Sequence, residues 1–154
     1  MRRLLLGYDI GSSSVKATLL DADSGRVVAS EGLPKVEMPI ASPQKDWAEQ
    51  DPEMWWKYII ETTHAVTKQS NVKSGELKAI GISYQMHGLV CVDKDGKVLR
   101  PSIIWCDSRA VAIGNNAFEV LGEDYCLPNL LNSPGNFTAS KLKWVQENEP
   151  ELYA

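Results

Sequence analysis

The chain has 154 residues, a formal charge of -4, and apolar and charged fractions of 44% and 23%. These values suit one globular domain able to bury roughly two-thirds of its unfolded surface. They argue against nucleic-acid partners, which select basic stripes, and the apolar run at Leu4–Leu6, cut at once by Gly7 and Asp9, is too short for a signal sequence or a membrane span.

The first third reads as β. Leu4 to Ile10 and Val15 to Leu20 are short apolar runs, Asp21 to Gly25 is turn chemistry, and Arg26 to Gly32 makes a third strand. Three strands on tight connections predict an antiparallel meander. Residues 33–50 carry Pro34, Pro39 and Pro43 without a period and read as loop. Asp51-Pro52-Glu53 is a helix start, with Asp51 as N-cap and Pro52 at the first helical position. The helix runs to Ser70-Asn71, with Trp55, Trp56, Ile59, Ile60 and Val66 on its apolar face.

Leu77 to Tyr84 is a strand of near-continuous apolar character, the kind that suits burial on both faces. Leu89 to Val92 and Val98 to Trp105 flank Asp93-Lys94-Asp95-Gly96, a hairpin signal. Helices follow at Ser108 to Phe118 and Ala139 to Asn148, separated by a Pro- and Asn-rich loop over 127–135. The order predicts an α/β fold: a mixed sheet with an antiparallel meander and flanking helices. Cys91, Cys106 and Cys126 are odd in number and lack a CxxC pair, which fits a reducing compartment and the cytoplasm.

Four segments can carry chemistry. In Asp9-Ile10-Gly11-Ser12-Ser13-Ser14-Val15-Lys16, backbone N–H groups, three hydroxyls and an ammonium suit phosphate oxygens, and Asp9 suits a hydrated Mg²⁺; an ordinary Gly-Ser hairpin is the alternative. Tyr84-Gln85-Met86-His87-Gly88 follows a strand end, where ligand crevices lie, and offers sugar-binding amide and imidazole groups or simply a polar loop. Trp105-Cys106-Asp107-Ser108-Arg109 is either a capped helix start with an Asp107–Arg109 ion pair or the wall of a polyol site. Pro134 to Trp144 reads as structure, with Thr138 or Ser140 starting a helix and Leu142, Trp144 and Val145 on its apolar side.

In this order the segments resemble the FGGY family of carbohydrate kinases, and within it the xylulokinases. The matching blocks are Gly7 to Lys16, Trp47 to Trp56, Gly81 to Gly88, Leu99 to Arg109 and Pro134 to Trp144. The resemblance implies the ribonuclease-H-like, actin-type ATPase fold and ATP-dependent phosphorylation of a ketose, D-xylulose to D-xylulose 5-phosphate, with ATP and Mg²⁺ as cofactors. It implies Asp9 as the carboxylate organising Mg²⁺ and the transferring phosphoryl group, and Gly11, Ser12, Ser13, Ser14 and Lys16 as the phosphate-facing set. Met86, His87, Trp105 and Asp107 are implied at the sugar. Asn136 departs from the simple Pro-Gly-Phe-Thr form of some xylulokinases by one inserted residue.

The family's proton-accepting carboxylate lies in a Gly-Gly-x-Asp segment, and its adenosine-binding glycines further on; neither has a counterpart in residues 1–154. The chain is therefore expected to be the N-terminal part of the first kinase domain, inactive alone and self-associating through an uncovered strand 77–84, with a homodimeric parent. The rivals are a kinase of another sugar or polyol, a non-catalytic sugar- or phosphate-binding module, and a non-sugar actin-like ATPase.

Overall fold

The computed structural model describes residues 1–153. In chain order the elements are β1 (Leu4–Ile10), β2 (Val15–Asp21), β3 (Val27–Leu33), β4 (Glu49–Gln50), α1 (Pro52–Gln69), β5 (Leu77–Tyr84) and β6 (Ser102–Ile103), then α2 (Val111–Leu121), α3 (Glu123–Leu130), a 3-10 turn at Pro134–Asn136, α4 (Thr138–Asn148) and α5 (Pro150–Tyr153). None of these helices is long and apolar enough to cross a membrane. They form two compact units: Met1–Pro39 with Pro52–Gln85, and Ile40–Asp51 with the chain from Met86 onward.

The first unit is a four-stranded mixed sheet in the order β3-β2-β1-β5. β1, β2 and β3 form the expected antiparallel meander, and β5 runs parallel to β1, with Asp9 opposite Ser83 and Ile10 opposite Tyr84. Alternation along β1 and β2 sends Leu4, Leu6, Val15, Ala17 and Leu19 inward; all but Val15 join Ala29 and Val66 in one core cluster. α1 packs over β2 and β3. Tyr8 and Thr63 share a hydrogen bond between β1 and α1, and Arg2 closes the far end by an ion pair with Glu76 and bonds to the Ser70 and Asn71 carbonyls.

Two expectations change here. The strand over 77–84 forms with the expected bounds, but every residue in it is exposed. It occupies the sheet edge, and α1 covers the other side of the meander, so its apolarity goes uncovered among the described residues. Likewise, α1 buries Thr62 and Val66 rather than the whole predicted face. Trp56, Ile59 and Ile60 instead line an apolar groove of about 380 Å³ with Ile80 and Ile82.

The second unit is built on short pairings. β4 pairs with β6, Leu89 bridges Ile103, and Val92 bridges Val98 across the predicted Asp93–Gly96 turn, where Gly96 has φ 81°. The predicted hairpin is therefore a set of bridges, not two regular strands. α3 occupies the start of the segment read as loop over 127–135; Pro128 lies inside this eight-residue helix, and read as a breaker it hid the helix. Gly114 on α2 sits so close to the 3-10 turn that a Cβ there would lie 2.3 Å from the Gly135 Cα.

Candidate functional site

The residues expected to face phosphate all belong to the first unit. β1 ends at Ile10, and the Gly11 N–H donates to the Ser14 carbonyl (3.0 Å), closing the turn into β2. A Cβ on Gly11 would stand 3.3 Å from that same carbonyl oxygen, so the tight turn favours glycine. Ser13 accepts from the Met38 N–H through its carbonyl. Asp9 and Lys16 are exposed and directly opposite each other in the β1–β2 register. Among the described residues the side chains of Asp9, Ser13, Ser14 and Lys16 have no hydrogen-bond or ion-pair partner. One exposed carboxylate beside a hydroxyl-rich turn fits the way Mg²⁺ is held, through one or two carboxylates, retained waters and substrate phosphates.

The Gln85 N–H donates to the Ile10 carbonyl (2.9 Å), so the chains leaving β1 and β5 start from the same end of the sheet, as their parallel pairing requires. Both polar atoms of the Gln85 side chain are buried without a partner. A buried amide in that state holds free donor and acceptor capacity.

Met86, His87, Trp105 and Asp107 belong to the second unit. Met86 and Trp105 are exposed, at 65% and 47%. His87 takes φ 61°, left-handed backbone that non-glycine residues rarely adopt, and its ring stacks on Phe137 with centroids 4.9 Å apart and planes 15° apart.

Asp107, implied at the sugar by resemblance, is engaged within the protein. It is 1% exposed. Its carboxylate accepts from the Ala48 N–H, the Arg109 N–H and the Arg109 guanidinium, with Nη2 at 2.7 Å. The ion-pair alternative describes it, and α2 starts later than expected, after Ala110. Arg109 also reaches Glu49 (2.8 Å), which is shared with Arg100; Arg100 in turn pairs with Glu149. The Arg109 guanidinium lies 3.7 Å from the Trp47 ring centroid and 5.0 Å from that of Trp144. A buried guanidinium suits this place because its charge is spread over a flat, weakly hydrated fork that both stacks and pairs.

The segment from Pro134 to Trp144 does more than start a helix. Lys141 is fully buried, and Leu142, expected inside, is 40% exposed. The Lys141 ammonium donates to the His87 carbonyl (2.9 Å), the Asn136 carbonyl (3.1 Å) and Asn136 Oδ1 (2.8 Å). Asn136 Nδ2 donates to the Trp105 carbonyl, and Thr138 Oγ1 to that of Gly88. Burial pushes the Lys141 ammonium down to about 8, while Asp107 pulls the other way. A lysine beside Leu142 at a helix start reads as surface, so periodicity gave no sign of this role.

The FGGY family of carbohydrate kinases, N-terminal domain, matches residues 4–154, and the chain belongs to that family. It is 36% identical over 150 residues to the xylulose kinase of Escherichia coli (strain K12), covering 97% of this chain and 30% of that protein. Among solved structures it is similar to a xylulose kinase from Brucella ovis, with TM-score 0.84, 32% identity and coverage of 98% and 30%. It also resembles the gluconate kinase of Lactobacillus acidophilus, with TM-score 0.81, 25% identity and coverage of 99% and 30%. The chain thus spans about a third of the length of these relatives. The fold is that of the FGGY kinases, as the resemblance implied.

Proposed function

We propose that the chain is the sugar-side N-terminal part of an ATP-dependent kinase that converts D-xylulose to D-xylulose 5-phosphate in the cytoplasm. In this reaction a sugar hydroxyl oxygen bonds to the γ-phosphorus, the bond to the ADP oxygen breaks, and the hydroxyl proton passes to a carboxylate. Asp9, with Gly11 to Ser14 and Lys16, holds the phosphate side. Bound there, Mg²⁺ would supply positive charge to the transferring group. Met86, His87 and Trp105 hold the sugar side.

The observation that carries this function is the exposed, partnerless Asp9 carboxylate at the end of β1, near the unengaged hydroxyls of Ser13 and Ser14. A structural acid at a strand end ordinarily finds a donor; one aimed at a ligand waits for it. Xylulose rests on the Gln85-Met86-His87-Gly88 wording and on relatives that are xylulose kinases.

Steady-state kinetics of a complete kinase carrying this chain test the proposal. His87→Ala weakens sugar use by about 1–3 kcal/mol with nucleotide affinity unchanged, because one hydrogen-bonding group to the sugar is lost. Equal damage to both substrates would make His87 structural. Asp9→Asn costs turnover far more than sugar binding, because its carboxylate acts on charge developing at phosphorus. A mutant that loses xylulose affinity in step with turnover removes Asp9 from that role. Stronger activity on gluconate or glycerol than on xylulose would replace the sugar but keep the kinase.

A further inference from the structure

Lys141 is out of place by two physical criteria. An ammonium without ordinary solvation is costly in a protein interior unless it is paired. A positive charge in the first turn of a helix also opposes the helix dipole, and Lys141 is the fourth residue of α4. No carboxylate lies within ion-pair distance of it among the described residues. The charged groups nearest it are Asp107, which favours the ammonium, and Arg109, which opposes it. What holds the charge is a set of three neutral oxygens, those of the His87 carbonyl, the Asn136 carbonyl and the Asn136 side chain.

Those acceptors are not interchangeable core groups. His87 is in left-handed backbone, a conformation that persists where the surrounding structure holds it. The orientation of the Asn136 amide is chemically unambiguous: an ammonium only donates, so it faces Oδ1, leaving Nδ2 for the Trp105 carbonyl. Thr138 and Phe137 hold the same loop through the Gly88 carbonyl and the His87 ring. One buried cation therefore joins the two exposed loops that carry His87 and Trp105.

We propose that Lys141, acting through Asn136, is a positioning residue that fixes the His87 loop and the Trp105 backbone at the spacing a polyol ligand requires. This rests on the sugar-side role given above to His87 and Trp105. Asn136, the residue inserted relative to the Pro-Gly-Phe-Thr form of some xylulokinases, is then a determinant of sugar preference in this chain, because it bridges Lys141 and the Trp105 carbonyl.

The chain has two histidines, His64 and His87, so histidine-labelled NMR of the full chain reads the clamp directly with an internal control. In Lys141→Met, the His87 ring signals move toward those of an unstacked imidazole while His64 on α1 stays. In Asn136→Ala, the His87 signals move less, and in a uniformly 15N-labelled sample the Cys106 amide, next to the Trp105 carbonyl, moves as well. If Lys141→Met does not fold, Asn136→Ala decides alone. A folded variant whose His87 signals coincide with wild type overturns the proposal.

Adding D-xylulose separates this from the sugar assignment. A wild-type chain whose His87 signals ignore xylulose counts against the sugar reading, while the sugar-free spectra still judge the clamp. In a complete kinase carrying the chain, Lys141→Met raises KM for the sugar about tenfold, as expected for one misplaced hydrogen bond, and leaves KM for ATP alone. A fall in kcat with both KM values unchanged would show a merely structural lysine and overturn the proposal.

Discussion

The first unit is held by apolar burial on a regular sheet, whereas the second is held by buried charge between short, irregular pairings. In the first, Leu4, Leu6, Ala17, Leu19, Ala29 and Val66 form one cluster beneath α1. In the second the buried apolar cluster is Leu89, Ile103 and Val145, and around it stand Glu49, Asp107, Arg109 and Lys141 at 10% exposure or less. The two solutions fail differently. An apolar core loses contacts in proportion to the volume removed. A charge network loses one partner and leaves the other buried and unpaired, which costs more than the bond itself was worth.

Arg109→Met gives the sharpest test of that contrast. It strips the charged partner from Asp107 and one partner from Glu49 and is expected to cost about 3–5 kcal/mol. Val66→Ala in the first unit costs about 2 kcal/mol by lost burial and a small cavity. Urea unfolding of both variants gives the comparison, and equal losses would mean that the charge network is no more than packing.

Gly114→Ala is expected to cost about 3 kcal/mol, because the new methyl meets the backbone of Pro134 and Gly135 and cannot be relieved by a side-chain rotation. Since Pro134 to Asn136 leads straight into Asn136 and Lys141, the same variant should disturb the His87 signals. A thermal melt unchanged from wild type would show that α2 and the turn shift apart easily.

The smallest effects are in pH. Hydrogen bonding from Arg2 holds the Glu76 carboxyl down at about 2, below its ordinary 4.5. Its folded pKa is depressed, so its contribution is complete above about 4.5 and fades as pH falls through about 2. Lys141 is also depressed, from 10.5 to about 8 by burial, which disfavours its charged form. Between those values the unfolded chain binds more protons than the folded one, so stability rises with pH there. Denaturant midpoints across pH should lose the acid slope in Glu76→Gln and the alkaline rise in Lys141→Met. A slope that survives its own substitution belongs to another group.

The sequence by itself determined the meander, both ends of β1, the full span of β5 and the glycine turn at Gly11, because alternation and turn chemistry act between near neighbours. It also determined the family, through ordered blocks of residues whose wording is specific. Tertiary structure alone decided where Lys141 goes: its link to the His87 carbonyl spans a sequence separation of 54, which no local period encodes. It likewise gave Asp107 to Arg109 and the Ala48 N–H, and left β5 uncovered, since α1 lies over the opposite strands. Apolar pattern tells which residues seek cover. Which of them find it, and which polar groups are buried to hold a loop in place, depends on partners that only the folded chain brings within reach.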